Sequence, residues 1–261
     1  MPRKIKVGMG QLFVEPGNPQ GNLARAINMI ERAAADGCSI VVLPECLDCG
    51  WTFPTSRELA KPIPGEYSDL LVQAARKYNL FIAAGLTEKD GECLFNAAVL
   101  ISPDGVIILK HRKINELPFA LELYEKGNKL EVVSTSLGRI GLNICADNWL
   151  TGLHLGHSLG MMGAQILLSP SSWAVAPEHD NYSQRYGEEW RFAYTQLATS
   201  YGMTVIGVSN VGPVRGGTWD GWSCIGCSLA IGPDGEILSQ GSYGVSADEL
   251  NIIEVTIRED N

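Results

Sequence analysis

Apolar and polar positions follow two different periods along the 261-residue chain. Apolar residues at every second position, or in short unbroken runs, predict buried strands, whereas a spacing of three or four predicts helices with one apolar face. The strand pattern occurs at residues 5–13, 40–43, 80–85, 94–101, 106–110, 140–144, 165–168, 204–208, 229–231 and 236–239. The helical pattern occurs at residues 22–35, 67–78, 153–162 and 188–201.

A repeated turn motif indicates two similar halves. The segments Ile-Ser-Pro-Asp-Gly-Val-Ile-Ile (101–108) and Ile-Gly-Pro-Asp-Gly-Glu-Ile-Leu (231–238) each follow a strand–helix–strand series, and Pro-Asp-Gly between apolar runs is typical of a hairpin. Strands that are apolar throughout need cover on both faces, which two sheets packed face to face, with helices outside, would provide. No stretch rich in Pro, Gly or Ser divides the chain. We therefore expect one α/β domain over residues 1–261.

The charge balance excludes some partners. A formal net charge of −9 argues against nucleic acid and anionic membrane surfaces, because binding a polyanion requires a basic face. The first residues are basic but lack the long apolar region of a secretory signal. No stretch approaches the length of a membrane span. We therefore expect a cytoplasmic protein with a small-molecule partner.

The seven cysteines are an odd number, which argues against a disulfide framework in a chain without a secretory signal. Cys46/Cys49 and Cys224/Cys227 have the C-x-x-C spacing of zinc ligands. The second pair lies in a strand-like segment, where positions i and i+3 point to opposite faces unless a turn intervenes at Gly226. We favour buried apolar cysteines over a zinc site and expect neither a metal nor a cofactor.

Three residues at strand ends or in loops suggest acyl-transfer chemistry. Cys145 ends the strand pattern of Gly-Arg-Ile-Gly-Leu-Asn-Ile-Cys-Ala-Asp-Asn-Trp (138–149), Glu45 follows an apolar run, and Lys113 lies in a basic segment. A carboxylate can take a thiol proton, and an ammonium group can lower the thiol pKa and stabilise an oxyanion. Each residue also has a structural interpretation: a buried structural cysteine, a surface or capping glutamate and a solvated lysine.

The motifs around these residues resemble a known family. Leu-Pro-Glu (43–45), Arg-Lys-Ile (112–114) and Gly-Arg-Ile-Gly-Leu-Asn-Ile-Cys (138–145) are similar, in order and separation, to the three signatures of the nitrilase superfamily of carbon–nitrogen hydrolases. The resemblance implies a four-layer α-β-β-α sandwich that pairs into a homodimer or higher homo-oligomer. It also implies Glu45 as general base, Lys113 as oxyanion stabiliser, Cys145 as nucleophile and the backbone N–H of Ala146 as second oxyanion donor.

Many members of this superfamily carry a second glutamate after the lysine. The segment Glu-Leu-Tyr-Glu-Lys-Gly (122–127) resembles the amidase form of that motif. The resemblance therefore favours Glu122 as a fourth catalytic residue, with Glu116 and Glu125 as the alternatives.

Substrate-binding residues are expected near the strand that follows the nucleophile. The segment Ser-Pro-Ser-Ser-Trp (169–173) ends that strand, and a tryptophan six residues after Glu45 is a similar candidate, although both aromatic residues are equally compatible with a core position. Arg185 and Arg191 are candidates for holding a substrate carboxylate, with salt bridges as the alternative. The residues predicted to contact substrate are Ala146, Ser171, Trp173 and Trp51.

The residues after the cysteine favour one branch of the superfamily. Cys-Ala-Asp (145–147) departs from the Cys-Trp-Glu of nitrilases in the narrow sense, and the arginines of N-carbamoyl amino-acid hydrolases are absent here. Cys-Ala-Asp-Asn-Trp is closer to the glutaminase domains of NAD synthetases, but no synthetase domain follows. We expect hydrolysis of a small linear amide to acid and ammonia. A nitrilase, a glutaminase subunit that supplies ammonia to a partner chain, and a non-catalytic oligomeric binding subunit are the alternatives.

Overall fold

The computed structural model describes residues 3–257 and contains two six-stranded sheets and one three-stranded sheet. The strands are β1 (Arg3–Gln11), β2 (Ile40–Val42), β3 (Phe81–Asp90), β4 (Cys93–Ile101), β5 (Ile107–Arg112), β6 (Val132–Thr135), β7 (Gly138–Leu142), β8 (Ile166–Ser171), β9 (Ala174–Val175), β10 (Thr204–Ser209), β11 (Val211–Pro213), β12 (Ser223–Ile225), β13 (Leu229–Ile231), β14 (Ile237–Gln240) and β15 (Glu249–Ile257). The helices are α1 (Pro19–Ala35), α2 (Ser56–Leu59), α3 (Glu66–Tyr78), α4 (Leu153–Met161) and α5 (Glu188–Tyr201), with two 3-10 helices at Pro118–Glu122 and Cys145–Asn148.

The two large sheets pack against each other and confirm the predicted α-β-β-α sandwich. Their strand orders are β15-β1-β2-β3-β4-β5 and β14-β13-β10-β8-β7-β6. In each sheet three neighbouring strands are parallel, and the outer strands pair antiparallel. Helices α1 and α3 cover the first sheet, and α4 and α5 cover the second. Across residues 3–257, no helix combines the length and apolar character needed to cross a bilayer.

Strand β2 shows why the central strands are apolar without interruption. Ile40 and Val42 belong to the core between the two sheets, whereas Val41 and Leu43 pack with the residues of α1 and α3. Because side chains alternate between the two faces of a strand, and both faces are covered, every position must be apolar. The same arrangement directs the ends of β2, β5 and β7 to one edge of the sandwich.

The structure corrects the strand predicted around the second C-x-x-C pair. Strand β12 ends at Ile225, and Gly226 and Cys227 then adopt left-handed backbone conformations with φ of 70° and 60°. This turn transfers the chain from the three-stranded sheet to β13 of the second large sheet. Cys224 and Cys227 therefore lie in different layers of structure. Strands β6, β9, β11 and β15 have no counterpart among the sequence-based predictions. The first three span only 4, 2 and 3 residues, too short to show a period, whereas the alternation of apolar residues at the end of β15 was missed.

Candidate active site

Glu45 and Lys113 form a buried ion pair. Both side chains are 1% exposed, and Lys113 Nζ lies 2.6 Å from Glu45 Oε1. Asn96 Nδ2, from β4, donates to the same oxygen at 2.6 Å, while Glu45 Oε2 has no hydrogen-bond partner within the described part of the chain. Burial alone would lower the pKa of Lys113, but the attraction of Glu45, with smaller contributions from Glu116 and Cys145 when these groups are ionised, outweighs it and holds that pKa well above its ordinary value. The lysine is therefore a buried cation that is paired with a carboxylate.

The loop that carries Glu45 depends on a close approach of β3. A Cβ atom at Gly85 would lie 2.5 Å from Glu45 Cα and 2.7 Å from the carbonyl oxygen of Pro44. The Gly85 N–H donates to that carbonyl at 2.9 Å, and Glu45 N–H donates to Ser171 O at 3.2 Å. Glycine at position 85 thus allows β3 to approach the loop after β2 closely, and the bond from Glu45 N–H to Ser171 joins this loop to β8 of the second sheet.

A second carboxyl group faces the lysine, and it belongs to Glu116. Its Oε2 lies 3.8 Å from Lys113 Nζ, and its side chain is fully buried. Burial raises the pKa of Glu116 to about 8; Lys113 opposes this shift, and Glu45 and Asp147 add to it. Glu122, which the resemblance favoured, does not face Lys113. The 3-10 helix Pro118–Glu122 carries the chain outward, and both Glu122 and Glu125 are exposed there.

Cys145 occupies a tight turn directly after β7. Its φ is 43°, it begins the 3-10 helix Cys145–Asn148, and its N–H donates to Ser169 Oγ at 3.1 Å. Burial raises the pKa of the thiol, the Glu45 charge raises it further, and Lys113 partly offsets both. The thiol is therefore protonated at neutral pH and needs a base during attack. The left-handed conformation points to a strained residue at a functional site.

Asp147 ties the cysteine loop to the lysine loop. Its Oδ1 accepts the backbone N–H groups of Ile114 and Asn115 at 3.1 and 2.8 Å. Its Oδ2 accepts from the N–H of Ile144 at 3.0 Å and lies 2.8 Å from His111 Nε2. Burial would raise the pKa of Asp147, but its hydrogen bond to His111 and its electrostatic interaction with that ring, with further contributions from Asn115 and Lys113, lower it overall. The local sequence around Cys145 carries no signal for this linking role of Asp147.

The three residues predicted to be the base, the oxyanion stabiliser and the nucleophile open into a cavity of about 930 Å³. Glu45, Lys113 and Cys145 line it, as do Ala146, Trp51 and Trp173. All six tryptophans of the chain contribute to the lining: they are Trp51, Trp149, Trp173, Trp190, Trp219 and Trp222. The aromatic wall was predicted for two of these positions. The other four come from segments whose meeting has no local sequence signal.

Ser171 does not take the position expected for a substrate-binding residue. Its side chain is fully buried, its Oγ donates to Ser169 O at 3.0 Å, and the neighbouring Ser172 lines the cavity instead. Successive side chains at the end of an extended segment point in opposite directions. A prediction that is wrong by one residue therefore selects a core side chain instead of one that lines the cavity.

The C-x-x-C cysteines are free thiols in the structure. Cys46, Cys49 and Cys224 pack in one apolar cluster, and burial raises the pKa of each. Between residues 3 and 257, no group of three or more His, Cys, Asp or Glu side chains is placed to hold a metal ion.

Comparison with known proteins finds relatives along nearly the whole chain. The family model described as carbon-nitrogen hydrolase matches residues 6–259. A protein named nitrilase from Pyrococcus abyssi is 30% identical over 258 residues, which cover 97% of this chain and 90% of that protein. The protein named omega-amidase NIT2-A from Xenopus laevis is 31% identical over 194 residues, covering 70% of this chain and 69% of that protein.

Solved structures share the same fold. A carbon-nitrogen hydrolase from Helicobacter pylori G27 superposes with a TM-score of 0.84 at 24% identity, covering 97% of this chain and 89% of that one. An amidase from Nesterenkonia sp., solved as a glutamate-to-glutamine mutant with acrylamide added at its active-site cysteine, superposes with a TM-score of 0.77 at 19% identity, covering 97% and 93%.

Proposed function

Since this chain belongs to the carbon-nitrogen hydrolase family and is a hydrolase of carbon–nitrogen bonds, we propose that it converts a small linear amide to a carboxylic acid and ammonia through a thioester on Cys145. The observation that carries this proposal is the buried Glu45–Lys113 pair, which lines the same cavity as a protonated cysteine at a strained turn. A base, a cation and a nucleophile in one water-poor site are the groups that amide cleavage requires.

Acylation begins with proton transfer from the Cys145 thiol to Glu45. Sulfur attacks the amide carbon, and the carbonyl π electrons move to oxygen. Lys113 and the backbone N–H of Ala146 stabilise this oxyanion. When the tetrahedral intermediate collapses, the C–N bond breaks, and Glu45 returns its proton to nitrogen so that ammonia leaves.

Deacylation uses the same carboxylate. Glu45 removes a proton from water, and the hydroxide attacks the thioester carbon while Lys113 again holds the oxyanion. The C–S bond breaks, the sulfur recovers the proton from Glu45, and the carboxylic acid departs. One base therefore serves both half-reactions.

Glu116 takes the role that sequence analysis gave to Glu122. Its carboxyl group lies 3.8 Å from the ammonium nitrogen of Lys113, which makes its closer contact with Glu45 at 2.6 Å. A pKa of about 8 keeps Glu116 largely protonated at neutral pH, so Lys113 faces one charged and one neutral carboxyl group. The lysine is thereby held in place while most of its positive charge stays available for the oxyanion.

Nitrilase activity is the second candidate because the relative covering 97% of this chain bears that name. A nitrilase would make the acid from a C≡N bond through the same cysteine. Ammonia release from matched amides, nitriles and glutamine distinguishes amidase, nitrilase and glutaminase activity.

The mechanism is tested with Glu45→Gln. Glutamine keeps the shape of the side chain but cannot accept the thiol proton, so amide hydrolysis should fall by about 10² or more. An activated ester, which acylates cysteine more readily, should leave a persistent acyl adduct in the intact mass because water also lacks its base.

The matched controls are Cys145→Ala, which should carry no adduct, and Cys93→Ala, which removes an exposed thiol outside the cavity and should behave like the parent. Parental amide turnover by Glu45→Gln, or an adduct that remains in the Glu45→Gln, Cys145→Ala double variant, would refute the mechanism.

We also propose that the protein forms a homodimer through α4 and α5. The two helices contact each other, with His157 Nδ1 lying 3.0 Å from Tyr201 Oη. Their outer surface exposes the large apolar side chains of Met161 at 79% and Phe192 at 61%, and Leu150, just before α4, is 57% exposed. A second copy of this surface would bury them, and symmetric pairing is the commonest form of soluble homo-oligomer.

A further inference from the structure

The six tryptophans that line the cavity form two preassembled aromatic groups. In the first, Trp190 packs against Trp173 and Trp149, with ring centroids 4.9 Å apart in both pairs. In the second, Trp219 stacks on Trp222 at 4.4 Å and contacts Trp51 at 5.3 Å. Rings that already hold each other need little reordering when a ligand binds. The cavity therefore offers fixed aromatic surfaces to whatever is attached to the reacting amide.

The charged groups around these rings are mostly negative. Apart from Glu45 and Lys113, the ionised side chains of the lining are four carboxylates and one guanidinium: Glu178, Asp180, Glu188, Glu189 and Arg185. All five are exposed, so they lie on the solvent side of the cavity, and we call them the rim. His179 also lines the cavity.

Not every rim carboxylate is equally available. Glu188 Oε2 is 2.6 Å from Arg191, which neutralises it. A hydrogen bond from the Tyr182 N–H lowers the pKa of Asp180, so this group stays ionised. Glu178 and Glu189 form no ion pair within residues 3–257, so no cation holds their carboxyl groups, and Arg185 is the one basic side chain among the rim residues.

Aromatic faces and carboxylates attract the same kind of ligand. The negative face of an indole ring binds an ammonium group, and a quaternary ammonium is recognised by several such faces together. The cavity already contains one such contact, because Lys113 Nζ lies 5.8 Å from the centre of the Trp51 ring. A substrate carboxylate would instead meet like charges at the rim and aromatic faces that repel it.

We propose that the acyl group of the substrate ends in an ammonium group, and that the rim and the tryptophans select this cation over neutral and anionic ends. This inference rests on the proposed amidase function and names its substrate class. A cavity of about 930 Å³ accommodates an acyl chain of several carbons with a bulky end group beside the reacting amide.

Three amides of matched length test the proposal. They are 4-(trimethylammonio)butanamide, its neutral isostere 5,5-dimethylhexanamide and the anionic glutaramate. Three methylene groups separate each end group from the amide, so intrinsic reactivity is nearly equal. We expect kcat/KM for the cation to exceed that for the neutral isostere by roughly tenfold or more, with the anion lowest.

Two variants locate the selectivity. Glu178→Gln combined with Glu189→Gln should reduce the ratio of cation to neutral kcat/KM by roughly three- to tenfold, because two unpaired rim charges are removed. Trp222→Leu keeps apolar bulk but removes one aromatic face and should reduce the same ratio. Glu31→Gln, an exposed carboxylate on α1 outside the cavity lining, is the matched control and should leave the ratio unchanged.

The outcomes separate the two proposals. Equal or faster hydrolysis of the neutral isostere or of glutaramate, with all activity lost in Cys145→Ala, overturns the cationic substrate and leaves the amidase intact. A cation preference that survives both variants also overturns it. No hydrolysis of any of the three amides above the Cys145→Ala level overturns the amidase and the substrate class together.

Discussion

In the candidate site, the ammonium group of Lys113 contacts two carboxyl groups, and all three side chains are buried. A buried lysine is tolerated because Glu45 lies 2.6 Å away and Glu116 lies 3.8 Å away. The carboxyl groups differ because Glu45 accepts hydrogen bonds from Asn96 and Lys113 at 2.6 Å, whereas burial is the largest influence on the pKa of Glu116 and raises it. Hydrogen bonding favours the charged form and desolvation the neutral one, so the two glutamates suit different roles.

Glu116→Gln should alter the dependence of activity on pH. Deprotonation of Glu116 above about 8 places a second negative charge beside Lys113 and weakens its attraction for the oxyanion. In the parent, kcat/KM plotted against pH should therefore decrease near that pH, and the glutamine variant should not show this decrease. The same decrease at the same pH in the variant would assign the ionisation to another group.

The same substitution has a consequence for stability. Because the pKa of Glu116 is raised from 4.5 to about 8, its contribution to the free energy of unfolding is full below about 4.5 and is lost as pH rises to about 8. Denaturant unfolding should show the parent becoming less stable relative to Glu116→Gln across that window. If the difference in free energy of unfolding between the parent and Glu116→Gln did not change with pH, the pKa of Glu116 would not be raised by burial.

At the scale of elements, the site depends on how two loops are joined. Lys113 follows β5 and Cys145 follows β7, and these strands belong to different sheets. Asp147 accepts three backbone N–H groups and contacts His111, so one carboxylate fixes the distance between the loops. A second link, from Asn115 Nδ2 to Ala146 O at 2.6 Å, runs beside it.

Asp147→Ala should destabilise the protein by about 3 kcal/mol or more, because it removes the acceptor of three backbone N–H groups, and a buried donor left without a partner costs roughly 1–3 kcal/mol. Asp147→Asn should fold more readily but lower kcat, because an amide cannot accept all the hydrogen bonds that position Lys113 and Cys145. Since the pKa of Asp147 is lowered, the stability it contributes is present above its unfolded pKa and is lost as pH falls through the folded value.

Unfolding curves and kcat of both variants provide the measurement. Asp248→Asn is the control, because this exposed carboxylate also accepts a backbone N–H, from Phe13 at 2.9 Å, far from the two loops. An Asp147→Asn variant with parental kcat, or an alanine variant no less stable than the Asp248 control, would show that the carboxylate does not join the loops.

At the scale of the whole molecule, exposed apolar side chains on α4 and α5 predict self-association. Phe192→Glu combined with Met161→Glu should convert a dimer to a monomer, because charges would be buried in the proposed interface. Light scattering after size exclusion gives the mass. Leu70→Glu, on α3 over the other sheet and 40% exposed in the parent, should leave the dimer intact. A monomeric parent, or a dimeric double variant, would rule out this interface.

The sequence alone determined the layered fold and the positions of Glu45, Lys113 and Cys145. Strand and helix periods are local properties, and they predicted most elements to within a few residues, including α5 at Glu188–Tyr201. Unbroken apolar strands required cover on both faces, which gave two sheets between helices. Residues at strand ends converge in this architecture, and the resemblance to carbon–nitrogen hydrolases assigned their proposed roles. The single domain over residues 1–261 stays a prediction.

Only the tertiary structure decided which other residues lie next to Glu45, Lys113 and Cys145. Glu116 rather than Glu122 faces Lys113, and Ser172 rather than Ser171 lines the cavity. These residues lie in irregular segments or at a strand end, where no period fixes the direction of a side chain. The linking role of Asp147 and the convergence of all six tryptophans depend on segments far apart in the chain. Contacts of that kind follow from the packing of the layers, which a local pattern cannot encode.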